Sequence, residues 1–137
     1  MKKPDNPFAP RAICLNCIDG RVQMPVIRWI QRHAGVELID MITEPGMDGL
    51  LSNKTNDIQP VFRKIEISVK NNNSQWIYIV AHHDCRGNPV SEEEHRREVA
   101  EAVTRVRERF DKLPVIGLWV GASWEVELVA QKGLDGA

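Results

Sequence analysis

The sequence predicts an α/β fold with a mostly parallel central sheet of four strands plus an edge strand, and helices on both faces. Three observations carry this. Short apolar runs alternate with longer amphipathic segments in the order β-α-β-α-β-α-β-β. Four of the runs are mostly apolar, as strands buried on both faces of a parallel sheet are. The fifth, Trp124–Ala130 (WEVELVA), alternates apolar with polar residues, as a half-exposed edge strand does. At 137 residues the chain fits one domain, 1–137, with 1–10 as an irregular lead-in holding Pro4, Pro7 and Pro10.

The first strand is Arg11–Cys17 (RAICLNC). A helix follows over Pro25–His33, where Val26, Ile27, Trp29 and Ile30 recur at helical spacing. Pro25 suits its first turn because it lacks an N–H that would be unpaired there. Gly35 ends it. Val36–Ile42 (VELIDMI) is the second strand, and a Pro/Gly loop over Thr43–Gly49 follows, with Met47, Leu50 and Leu51 expected at the surface. A second helix runs from near Asp57 to Lys70, with Val61, Ile65 and Val69 as its stripe. Gln75–Ala81 (QWIYIVA) is the third strand. Ser91–Leu113 is the clearest helix. It opens on a Ser91/Glu94 capping box, shows one face of Val99, Ala102, Val103, Val106, Phe110 and Leu113, and stops at Pro114. Val115–Val120 (VIGLWV) is the fourth strand.

Composition excludes several function classes. Lys plus Arg is 18 and Asp plus Glu is 19, a net charge of −1, which lacks the basic surplus of a nucleic-acid binder. Apolar runs stay far below the roughly 20 residues of a membrane span. Met1-Lys2-Lys3 is not followed by an apolar stretch of the secretory kind, so a cytoplasmic protein is expected. Three cysteines in a reducing compartment point to metal binding or chemistry rather than a disulfide framework.

In open α/β sheets the reactive groups sit beyond the carboxyl ends of the strands. After the first strand stands Cys17-Ile18-Asp19-Gly20-Arg21, and after the third His82-His83-Asp84-Cys85. Two thiols and an imidazole make a soft three-ligand set that favours Zn²⁺. Three protein ligands with one open position is the arrangement of catalytic zinc. Cys14 opens a rival, because Cys14-x-x-Cys17 with His82-x-x-Cys85 would make a closed structural Cys₃His site. Strand alternation argues against it, placing Cys14 on the opposite face and about 10 Å back along the strand. His33 and His95 are expected to be solvated on helices, and His83 to point away from its neighbour. Asp84 is expected to bond N–H groups of its own turn. Trp29, Trp76, Trp119 and Trp124 are expected in the core or an interface.

At these residues the sequence resembles the β-class carbonic anhydrases, which carry Cys-x-Asp-x-Arg after the first strand and His-x-x-Cys after the third. Here these are Cys17-Asp19-Arg21 and His82-Cys85, about 65 residues apart, and the element order agrees from about Arg11 to Val129. The resemblance implies a β-carbonic-anhydrase-like fold and a zinc lyase, with Cys17, His82 and Cys85 as metal ligands. It implies reversible hydration of CO₂ to bicarbonate by hydroxide on the zinc. Asp19 and Arg21 would then be a catalytic pair in which Arg21 holds the Asp19 carboxylate off the metal. A homodimer or larger homo-oligomer is implied too. Four departures stand out. Gly20 replaces a Ser, Arg86 replaces a Gly, Ile42-Thr43-Glu44-Pro45-Gly46 stands in place of Arg-Asn-Ala-Gly-Asn, and only about ten residues precede the first strand, too few for the family's dimer-embracing arm. The same scaffold would also accommodate hydrolysis of carbonyl sulfide or carbon disulfide, or a non-catalytic zinc-binding module.

Overall fold

The computed structural model describes residues 6–134. Its elements run β1 (Arg11–Asn16), a 3₁₀ turn (Gly20–Val22), α1 (Gln23–Ala34), β2 (Leu38–Thr43), α2 (Met47–Ser52), α3 (Gln59–Asn72), β3 (Trp76–His82), α4 (Glu92–Arg109), β4 (Val115–Val120) and β5 (Val126–Lys132). Of the expected lead-in, residues 1–5 lie outside the described residues, and 6–10 form neither helix nor strand.

The strands form one sheet in the order β2-β1-β3-β4-β5. β1 to β4 are mutually parallel, and β5 runs antiparallel to β4 at the edge, as expected. Strand alternation sends Ile13, Leu15, Ile77, Ile79 and Ala81 into one apolar layer with α2, α3 and α4. Ala12, Cys14, Tyr78 and Val80 go to the other, against Val26 and Ile30 of α1. Both layers are buried, which is why β1, β3 and β4 read as mostly apolar runs. α4 approaches β4 closely at Gly117, where a Cβ would stand 2.4 Å from Val99 Cγ1. Among the described residues, no helix is long and apolar enough to cross a membrane.

The expected loop over Thr43–Gly49 is overturned. β2 reaches Thr43, and the chain enters the short helix α2 at Met47. Met47 and Leu51 are fully buried and Leu50 packs on the same layer, so these residues belong to the chain's own core, not its surface. Six residues with two flanking or internal glycines give too short a periodic signal to read, and α2 is stabilised from outside, where Arg105 Nη1 donates to the Leu51 carbonyl at its carboxyl end.

The order places a switch point between β1 and β3, because the chain leaves β1 to one side for β2 and returns on the other for β3. In such sheets a crevice opens at the carboxyl ends of those two strands. Cys17 follows β1 there, and His82 closes β3 there.

Candidate metal centre

β3 runs one residue further than expected, so His82 is its last residue, and alternation sends its ring to the α1 side with Tyr78 and Val80. His82 is wholly buried. Its Nδ1 is 2.7 Å from the His83 carbonyl, which accepts the ring N–H and leaves the lone pair on Nε2. Burial, outweighing the bond to His83, holds the imidazole pKa below its usual range and so keeps the ring neutral. The Nε2 atom is buried and has no hydrogen-bond partner. Around it stand two buried thiols, Cys17 and Cys85, whose sulfurs are 3.9 Å apart. One ligand atom from each of Cys17, His82 and Cys85 lies within 4.8 Å of the others. An orphaned imidazole nitrogen facing two thiols is costly in a dry site unless something takes the lone pair. Two sulfurs and one nitrogen at this spacing fit a tetrahedral soft divalent cation, zinc above all. Burial, reinforced by the Cys17 thiol, pushes the Cys85 thiol up to about 11.

Cys14 is elsewhere. It is wholly buried in the middle of β1, opposite Met41 and Tyr78. The two cysteines do not take the opposite faces expected of them, because β1 ends at Asn16 and the chain turns there. Cys14 and Cys17 therefore pack in the same α1-side layer. Among the described residues, the ligand group nevertheless contains Cys17, His82 and Cys85 and not Cys14. Burial drives the Cys14 thiol far above its usual range, as for an inert core residue.

Asp19 caps the 3₁₀ turn by accepting from Arg21 N at 2.9 Å, and the Arg21 side chain folds back on the same carboxylate. Nε lies 3.1 Å from both Asp19 oxygens and Nη2 2.7 Å from Oδ2. These hydrogen bonds hold the Asp19 carboxyl down to about 2, so it is ionised across the neutral range. Arg21 is fixed from the far side by Asp84 Oδ2 and the Asp84 carbonyl, both at 3.1 Å. The Trp124 ring lies under it, 5.0 Å from the guanidinium carbon. Cys17, Ile18, Asp19, Arg21, Pro45, Arg86 and Gly87 line a cavity of about 350 Å³ that reaches the centre at Cys17.

Sequence reasoning missed part of this site. Asp84 was expected to close its own turn and instead grips Arg21 across the crevice. Gln23 ties down the Cys17 loop, its Nε2 donating to the Cys17 carbonyl at 2.7 Å and the Asp19 carbonyl at 3.0 Å. Asn16, wholly buried, accepts from Cys17 N at 2.9 Å. A polar residue ending an apolar strand was the available signal. His33 is exposed as expected, stacked on Trp29 at 3.9 Å, and His83 also faces out. His95 is not solvated but buried, with Nδ1 2.6 Å from Asp48 Oδ2. Trp119 is buried and the other three tryptophans are half-buried against the α1-side layer.

A family model described as "Putative carbonic anhydrase" matches residues 9–130. Among curated proteins, none matches the sequence. The fold is similar to that of β-carbonic anhydrase isoform I from the protozoan Trichomonas vaginalis, with TM-score 0.58 and 16% identity over 88% of this chain and 84% of that one. It is similar also to a tetrameric β-carbonic anhydrase of the ascomycete Sordaria macrospora, with TM-score 0.60 and 15% identity over 91% and 83% of the two chains. A carbonic anhydrase from Glaciozyma antarctica gives TM-score 0.59 and 12% identity over 88% and 84%.

Proposed function

The chain belongs to the carbonic anhydrase family whose model it matches, and on that premise we propose that it is a zinc-dependent lyase converting CO₂ and water to bicarbonate and a proton. The observation that carries this is the buried, partnerless Nε2 of His82 facing the Cys17 and Cys85 sulfurs. Cys17, His82 and Cys85 would hold the metal. A zinc ion held there would supply the Lewis acidity that makes water nucleophilic near neutral pH. Asp19, ionised and acceptor-only, orients the attacking water through a hydrogen bond at its carboxylate. Arg21 keeps that carboxylate aimed, since its fork engages both oxygens while Asp84 and Trp124 immobilise its other side. Ile18 and Pro45 give the cavity apolar wall against which an uncharged linear molecule fits. Exposed Ile18 and Met24, together with the β2 edge, support a homo-oligomer as the working form.

Stopped-flow CO₂ hydration, with zinc measured on the same sample, tests the reading. Wild type should hold one zinc per chain and be active. Asp19→Asn and Arg21→Ala should keep the zinc and lose activity about 100-fold, the lower end of what a positioned proton acceptor supplies. Zinc-loaded wild type that does not hydrate CO₂ between pH 6 and 9 would refute the lyase.

A further inference from the structure

On the opposite side of the sheet from the three candidate ligands lies a second group of buried polar side chains, Asp48, His95 and Glu98, with ligand-type atoms within 4.8 Å of one another. None of them has a part in the chemistry proposed above. Their spacing speaks against a cation. His95 Nδ1 and Asp48 Oδ2 are 2.6 Å apart, a hydrogen bond, whereas two ligands with bonds near 2.0–2.1 Å in a tetrahedron stay about 3.3 Å apart. Glu98 is likewise engaged, accepting from Asn88 Nδ2 at 2.6 Å.

What the group touches gives it a role. Asn88 belongs to the turn that begins at Cys85, and its N–H donates to the Cys85 carbonyl at 3.3 Å. That turn is wedged against the start of α2 with no space between backbones. A Cβ at Gly87 would lie 2.7 Å from Gly46 N, and one at Gly46, which has φ +59°, 2.7 Å from the Gly87 oxygen. The Asn88 side chain lies across Gly49, whose Cβ would stand 2.7 Å from Asn88 Cγ. α2 is tied to α4 by Asp48–His95, both side chains 2% exposed. The Cys85 turn is tied to α4 by Asn88–Glu98. The His95 ring packs 5.4 Å from Trp119, which is in register with Ala81, the residue before His82.

We propose that Asn88, Glu98, Asp48 and His95 are positioning residues for the metal centre, fixing the Cys85 turn and the Pro45 wall of the cavity to α4. The proposal rests on the metal centre of the preceding subsection. Burial, with the Asp48 carboxylate nearby, pushes the Glu98 carboxyl up, and what Asn88 needs from this position is an oxygen that accepts its Nδ2 hydrogen bond. The clamp acts through geometry. A loosened Cys85 turn presents its sulfur over a range of positions, and groups that orient metal ligands typically govern affinity by 10–100-fold.

The test compares wild type with Asn88→Ala, Glu98→Leu and Glu98→Gln, all as full chains. Circular dichroism identifies the temperature range in which each is folded. Zinc affinity is read there by chelator competition, and the thiolate-to-metal band by saturating with cobalt(II). Asn88→Ala and Glu98→Leu should lose at least 10-fold in zinc affinity and alter the cobalt band. Glu98→Gln, which keeps a carbonyl acceptor for Asn88, should stay within about 3-fold of wild type. Asn88→Ala sits at a half-buried surface turn and carries the test alone if Glu98→Leu does not fold. Lower melting temperatures with wild-type zinc affinity and cobalt band would overturn the clamp and leave plain fold stabilisation. Two metals per wild-type chain, falling to one in Glu98→Leu, would overturn it in favour of a second cation site. Wild type that takes up no cobalt would overturn the metal centre itself, and the clamp with it.

Discussion

The metal centre makes a quantitative thermal prediction. Without a cation the chain buries an unpaired imidazole nitrogen between two thiols. These groups assemble only in the folded state, so a cation that binds them stabilises it by mass action. At free zinc about 100 times its dissociation constant, the gain is about 2.7 kcal/mol. An unfolding entropy near 2.1 cal/mol/K per residue gives about 0.3 kcal/mol/K for a chain of this length, so the melting temperature should rise by about 9 °C. Scanning calorimetry with and without the metal measures this directly. Cys17→Ser and Cys85→Ser should abolish most of the rise. Cys14→Ala is the discriminating control. It deletes a sulfur buried at 0% in the same layer, so its baseline melting temperature should fall, yet the zinc-induced rise should remain near 9 °C. An undiminished rise in both Cys17→Ser and Cys85→Ser would refute the assignment of these ligands. Loss of the rise in Cys14→Ala would restore the closed Cys₃His site.

Three further predictions come from other parts of the molecule. Asp40 accepts from Arg11, Ser68 and Asn72 at 2.7, 2.5 and 2.9 Å; burial opposes its ionisation, but these donors win and hold its carboxyl below the usual value. The stability it contributes is present above the ordinary carboxylate range and is lost as pH falls through the folded value. Asp40→Ala should therefore cost about 2 kcal/mol at pH 7 by urea unfolding, and the gap should close below about pH 4; a gap constant down to pH 2 would contradict this. Gly117→Ala puts a methyl 2.4 Å from Val99 Cγ1 and 3.0 Å from Val103 Cγ2 and should cost about 1–3 kcal/mol while leaving zinc content unchanged. Light scattering at micromolar concentration should return at least twice the 15.6 kDa chain mass, and Ile18→Arg should lower it; a wild-type monomer that hydrates CO₂ would remove any need for a partner.

The strands and long helices were legible because each writes its own periodicity. β1, β3 and β4 are buried on both faces and so mostly apolar, and α4 carries its cap and its stripe in one stretch of sequence, although it ends at Arg109 and not at the Leu113 before Pro114. β5 declared itself as an edge by alternating in sequence, although it runs Val126–Lys132 and not from Trp124, and Leu128 faces out. α2 is opposite in kind. Its six residues hold Gly49, its cap is Gly46, and what makes it a helix is burial of Met47 and Leu51 beneath α4 together with the Arg105 contact to its last turn. No local window contains that information. Reading the segment as loop also exposed three apolar side chains on paper, and with them went part of the case for a dimer, which now rests on the β2 edge and on Ile18 and Met24.

The same distinction between local and distant causes divides the site. Cys17, Asp19 and Arg21 sit within five residues, and His82 and Cys85 within four, so each half shows as a spacing, and the strand order brings the halves together. Asp84 was visible in the sequence, but its partner Arg21 lies 63 residues away, and only the packing of the β1 and β3 carboxyl ends selects that contact over a turn of its own. His95 is the sharper case. A histidine in a helix with charged neighbours reads as solvated. It is buried because α2, the element the sequence hid, lays Asp48 against it at 47 residues' remove. Missing α2 thus made the acid–imidazole pair invisible, and with it the connection from α4 through Glu98 and Asn88 to the Cys85 turn. Local motifs name the groups that would do chemistry. The groups that hold them in place are chosen by tertiary contact, and a single sequence records them only as polar residues that suit the surface but are buried.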